Sequence, residues 1–235
     1  MSKLSLFAAS LLATFLISSP VQSAIYTIQP DEAASKDTIA YEFLANMPLE
    51  AGFSGTLGVS NTSTPHNLMS FLQFDLSSLA GVTASQVNSA TLKLQTQSNS
   101  LGGANPSAAF PVTANLFAAS SAWVEAALTW NTRPSAGAMY ASAMIDSSNE
   151  LVEFDITPLV KGWIDGSILN FGVRLEQDAE VIDGSLRVGA AFVSASGAAS
   201  SRPLLEINTV PEPAAVTLVL IGSFALAAFR RRFAA

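Results

Sequence analysis

The sequence predicts an all-β protein, a two-sheet antiparallel β-sandwich with one short helix. Three observations lead there. Short runs of β-branched and apolar residues recur along the chain, with turn-forming residues between them. In the clearest run, Ala90-Thr91-Leu92-Lys93-Leu94-Gln95, Leu92 and Leu94 fall on one face and Lys93 and Gln95 on the other, the mark of an antiparallel sheet with one wet side. A helical period occurs in only one place.

In chain order, the strands are predicted at Asp37–Phe43, Thr56–Ser60, Leu68–Asp75, Ser89–Gln97, Val112–Phe117, Leu151–Asp155, Asn170–Glu176, Leu186–Val193 and Leu204–Asn208. Breaks at Ser98–Pro106, Ser135-Ala136-Gly137 and Ser194–Ser201 separate some of them. The helix is predicted at Thr157–Trp163, with Thr157 as its N-cap and Pro158 at the first helical position, where a missing N–H costs nothing. Phe74-Asp75-Leu76-Ser77 and Phe154-Asp155-Ile156-Thr157 repeat one pattern, each at a strand end. An Asp there can accept backbone N–H groups of the following turn, and turn capping is preferred to an acid/base pair.

Both ends of the chain read as addresses. Residues 1–23 place Lys3 before an apolar run from Leu4 to Ile17, and Val21 and Ser23 supply the small residues of a signal-peptidase site that makes Ala24 the first mature residue. At the other end stand Val210, Pro211, Glu212 and Pro213, the uncharged stretch Ala214–Phe229, and Arg230, Arg231 and Arg232. That stretch has 16 residues. As a helix it spans about 24 Å, a little less than a hydrocarbon core of about 30 Å. The arginines hold the extreme C-terminus on the cytoplasmic side. A single-span tail anchor is the alternative reading of this segment.

Between the two addresses, residues 24–209 form one domain, long enough for a full core. Seven basic and seventeen acidic residues give this domain a net charge of −10. Such a field repels nucleic acid and anionic lipid. The absence of cysteine excludes disulfide staples, thiol catalysis and thiolate metal sites, and His66 is the only histidine.

The order of Val-Pro-Glu-Pro, hydrophobic stretch and arginine cluster over residues 210–235 resembles the PEP-CTERM sorting signal of Gram-negative bacteria that make extracellular polysaccharide. That resemblance implies signal peptidase and an exosortase as partners during export, a transient inner-membrane intermediate held by the C-terminal helix, and delivery to the cell surface or extracellular matrix. The blocks Phe71–Leu79, Ser89–Leu94, Trp123–Pro134, Val152–Trp163, Asn170–Leu175 and Arg202–Ile207 resemble those of the DNRLRE-type domain, and Trp123-x-Glu125 followed by Thr129-Trp130-Asn131 is their most specific part. This second resemblance covers about Asp37 to Ile207 and implies a jelly-roll sandwich similar to carbohydrate-binding modules.

Candidate ligand contacts follow. Trp123, Trp130 and Trp163 are the large aromatic faces that could stack on sugar rings; core packing is preferred for Trp130 and Trp163, which leaves Trp123 as the carbohydrate candidate. Tyr140 and Tyr41 are further candidate contacts, and Arg133 offers a guanidinium fork for a uronate, although a conformational clamp on the preceding strand is preferred for it. Glu176, Asp178, Glu180 and Asp183 cluster in one loop and form the candidate metal set, with calcium as the ion such oxygens would take. No catalytic residues are assigned, because His66 lacks a nucleophile elbow and a second histidine. The leading expectation is a non-catalytic, exported protein that binds extracellular polysaccharide. The alternatives are a structural adhesin of a biofilm matrix and a polysaccharide-active enzyme.

Overall fold

The structure, a computed structural model, describes residues 23–29, 36–49, 55–98 and 103–210. The sorting motif from Pro211 onward and nearly all of the signal segment lie outside the described residues.

Two antiparallel sheets face each other. The first orders β1 (Ala24–Ile28), β13 (Leu204–Thr209), β5 (Val87–Gln97), β12 (Ala190–Val193) and β3 (Thr56–Val59), and β8 (Leu151–Asp155) also pairs with β5. The second orders β2 (Lys36–Tyr41), β4 (Leu68–Gln73), β9 (Val173–Gln177), β6 (Val112–Ala119) and β7 (Ala136–Ile145). A small hairpin pairs β10 (Ile182–Asp183) with β11 (Leu186–Arg187). The predicted all-β sandwich is the observed fold.

Alternation decides what lies between the sheets. Along β5, Ala90, Leu92 and Leu94 are fully buried, and their partners Phe154, Val152, Leu205 and Ile207 bury the same face of β8 and β13. From the second sheet Ile39, Leu72, Ala114, Leu116, Val173 and Leu175 meet them in one core. Burying one such Leu or Phe contributes about 1.5–3 kcal/mol. The wet face of β5 is as predicted: Lys93 lies between Glu153 at 3.5 Å and Glu206 at 3.2 Å.

The α-helix among the described residues, α1 (Thr157–Asp165), packs Leu159, Val160 and Trp163 into the core and ends at Gly166 in the left-handed region, φ +77°. Its cap differs from expectation. Ile156 holds the cap position, and the Thr157 hydroxyl is drawn instead to Asp155 at 2.6 Å. The Thr157 and Ser77 backbone N–H groups donate to Asp155 and Asp75 at 3.0 and 2.9 Å, so the repeated Phe-Asp pattern is a turn-capping device in both places.

A corner joins the sheets where the site lies. Ser60 and Leu68 exchange two backbone hydrogen bonds, and the buried Ser70 hydroxyl bonds both the N–H and the carbonyl of Gly58 at 2.7 Å. The chain therefore leaves β3 in one sheet and enters β4 in the other through a short polar loop at 61–67. Among the described residues no helix is long and apolar enough to cross a membrane.

Candidate functional site

The outer face of the second sheet carries an arrangement that combines open space with convergent polar groups and an indole. Register places its residues in rows across the strands. One row runs Ala40, Met69, Glu176, Asn115, Ser142, and the next runs Thr38, Phe71, Arg174, Phe117, Met139. The alternation that sends Leu68, Leu72, Ala114, Leu116, Val173 and Leu175 inward sends these outward.

The segment between β6 and β7 folds back over part of the second row. Trp123 sets its ring edge-on to Phe71 at 5.9 Å, and Leu128 and Ala119 complete a second small core there. Pro134 accepts a hydrogen bond from Arg174 at 3.2 Å. The first row stays open along its middle. There Met69, Glu176 and Asn115 form the floor of a groove of about 340 Å³, with Trp130, Phe117, Asn61, Asn67 and Asp178 around it.

The walls are fixed by hydrogen bonds. Asn61 donates to the carbonyls of Gln177 and Asp178 at 3.3 and 3.1 Å. The Asn67 carbonyl oxygen accepts from Thr62 N–H at 2.7 Å, and its amide donates to Glu42 at 2.7 Å. Asn115 donates to Asp178 at 3.0 Å, while Glu180 accepts from the Ser63 N–H at 2.8 Å. Arg133 lies over the Trp130 ring, 3.6 Å from its centre, and donates to the Trp130 carbonyl, so the indole is clamped where it borders the groove. Arg174 donates to Glu176. Burial, then the nearby Arg174, draws the Arg133 guanidinium below its usual pKa, against the pull of Glu42 and Glu176.

Beyond the groove's Asn67 corner stands an aromatic trio. The Phe43 ring, on a residue that is 61 % exposed, stacks on His66 at 5.0 Å, and the Tyr41 hydroxyl meets His66 Nδ1 at 2.6 Å.

The sequence candidates distribute unevenly over this geometry. Trp123 is a correction: it is 6 % exposed, and its indole N–H donates to the Phe171 carbonyl at 2.8 Å, so it has no open face for a sugar. Trp163 is core, as preferred. Trp130, also read as core, is half-buried and borders the groove. Arg133 is committed to Trp130, Tyr41 to His66, and Tyr140 packs its half-buried ring against the main core. The four carboxylates proposed for calcium do not converge. Glu176 pairs with Arg174, Asp178 with Asn115 and Glu180 with Ser63, while Asp183 sits in the exposed β10 hairpin. Among the described residues no three metal-ligating side chains gather.

The groove's amides were missed. Asn115 alternates with the inward Ala114 and Leu116, so the period already assigned it to an outer face; nothing local said that this face was the one with open space.

A sheet face that carries a clamped indole beside amides and carboxylates has the surface chemistry to bind a sugar. The comparison with protein families agrees: the profile of carbohydrate-binding module family 96 matches residues 50–209, and the chain belongs to that family. A comparison with curated proteins gave no match.

Proposed function

We propose that this chain is an exported, non-catalytic protein of the cell surface or extracellular matrix that binds extracellular polysaccharide in the groove between Trp130 and Asp178. The observation that carries this reading is the union of a clamped indole with hydroxyl-binding side chains along one open row, in a chain of a carbohydrate-binding family. Sugar rings offer C–H faces to an indole and hydroxyls to amides and carboxylates. Signal peptidase and an exosortase act on the two terminal addresses before the domain reaches the surface.

The test uses protein recovered from cells that express the full chain, incubated with a panel of bacterial and algal polysaccharides. At least one should retain it. Trp130→Ala should weaken that retention by about tenfold or more, the equivalent of about 1.4 kcal/mol. Trp123→Ala should act through stability instead, lowering it by about 3–5 kcal/mol. No retention by any polysaccharide would sink the proposal.

A further inference from the structure

From the chemistry of the same groove we infer the class of its ligand: a neutral, hydroxyl-rich polysaccharide, with Glu176 and Asp178 accepting hydrogen bonds from its hydroxyls. The inference rests on the polysaccharide-binding reading above and narrows it.

Among the described residues that line the groove, the charged ones are Glu176 and Asp178, and none is a lysine or arginine. The rest of the polar lining is Ser60, Asn61, Asn67, Asn115 and Gln177. Amides both donate and accept, whereas a carboxylate only accepts. Asn115 and Arg174 engage one oxygen each of Asp178 and Glu176, namely Oδ1 and Oε2, and the second oxygens have no partner among the described residues. Sugar hydroxyls satisfy such acceptors; a uronate or sulfate meets them with like charge.

Cations stand nearby but are committed. Arg174 is 8 % exposed and gives its Nη groups to Pro134 and Glu176. Arg133 covers Trp130. The Nε atoms of both arginines are buried, without a partner among the described residues, and neither residue lines the groove, so neither is presented to a ligand there. Glu42 behind Asn67 and Glu180 beside Ser63 add further negative charge, which leaves four carboxylates against two guanidinium groups around the groove. The excess of acidic residues over the whole domain has the same sign.

Affinity electrophoresis tests this, with protein from cells expressing the full chain run through gels that contain either neutral polysaccharides (a β-glucan, a galactomannan) or anionic ones (a polyuronate, a sulfated galactan), each with calcium and with chelator. A neutral polymer should slow the protein, and raising salt to about 0.5 M should change this by less than about twofold, because no charge on the ligand is there to screen. The anionic polymers should leave mobility unchanged in either buffer. Asp178→Ala should weaken neutral binding by about tenfold, the loss of hydrogen bonds to a charged acceptor. Glu176→Gln, which keeps an oxygen facing Arg174, should weaken it as well. Retardation by a polyuronate or sulfated polymer equal to or stronger than that by neutral ones overturns the inference and leaves polysaccharide binding standing. So does neutral binding that is indifferent to both substitutions. Failure of every polymer overturns the functional proposal itself.

Discussion

Asp37 shows how a single buried group ties pH to stability. It is 4 % exposed and accepts the Ala195 N–H at 2.7 Å. Burial raises its pKa above the ordinary carboxylate value, and the Ala195 hydrogen bond offsets this only in part. The folded state then holds the Asp37 proton more tightly than the unfolded chain does. Its contribution is therefore most favourable in acid and declines as pH climbs from the ordinary carboxylate value through the raised one. Asp37→Asn keeps an oxygen for Ala195 and removes the buried charge. The Tm of this variant should exceed that of the parent at neutral pH, with the difference closing below about pH 4, where both side chains are neutral. Calorimetry that finds the variant less stable at neutral pH would overturn this. Other residues differed in how legible they were. Asp75 and Asp155 were read correctly because their partners lie two residues away. Trp123 and Trp130 exchanged the expected roles because burial there depends on which sheet row the segment at 120–135 covers, and that row joins β4, β9 and β6.

At the scale of elements, most strands were visible because branched and apolar side chains alternate through them. β7 was not. Its ten residues, AGAMYASAMI, contain one β-branched side chain and mostly small ones, so no strand was assigned there and its first two residues fell in the break Ser135-Ala136-Gly137. The small side chains have a physical reason in part, since a Cβ on Gly137 would fall 2.9 Å from the Ala118 carbonyl across the pair β6–β7. Gly172, which precedes β9, is more demanding. Its φ is +82°, a Cβ would lie 2.1 Å from the Leu72 carbonyl oxygen, and its own carbonyl accepts from Ala119 at 3.0 Å. Gly81 has a similar φ of +89° with nothing within 4 Å. Gly81→Ala therefore isolates the left-handed backbone cost, about 1–2 kcal/mol. Gly172→Ala adds a backbone clash where β4 and β9 begin to pair, and should cost at least about 2 kcal/mol beyond that. Urea unfolding of the two variants measures the difference, and equal costs would show that the β4–β9 edge yields freely.

At the scale of the whole molecule, the sandwich class was readable from the sequence but the groove was not. The class follows from a period that each strand carries by itself. The groove requires knowing that β4, β9 and β6 are neighbours although they lie far apart in the chain, and that one loop leaves their first outward row uncovered. A similar division applies to delivery. The last strand, β13, ends at Thr209, and the motif Val210, Pro211, Glu212, Pro213 follows at once. A cut there would spare every residue of the sandwich and its core while removing the apolar stretch Ala214–Phe229 and the arginines. If the motif directs that cut, replacing Pro211, Glu212 and Pro213 with alanine should leave folding and polysaccharide retention intact yet keep a larger form in the membrane fraction. The experiment needs a host with an exosortase, in which the parent chain should shorten and move to the surface or medium, and a host without one, in which both chains should stay large and membrane-held. Immunoblots of the fractions read the outcome. Identical size and location of the parent and the alanine variant in the exosortase host would overturn sorting by this motif, and the groove would then belong to a protein that reaches its polysaccharide by another route.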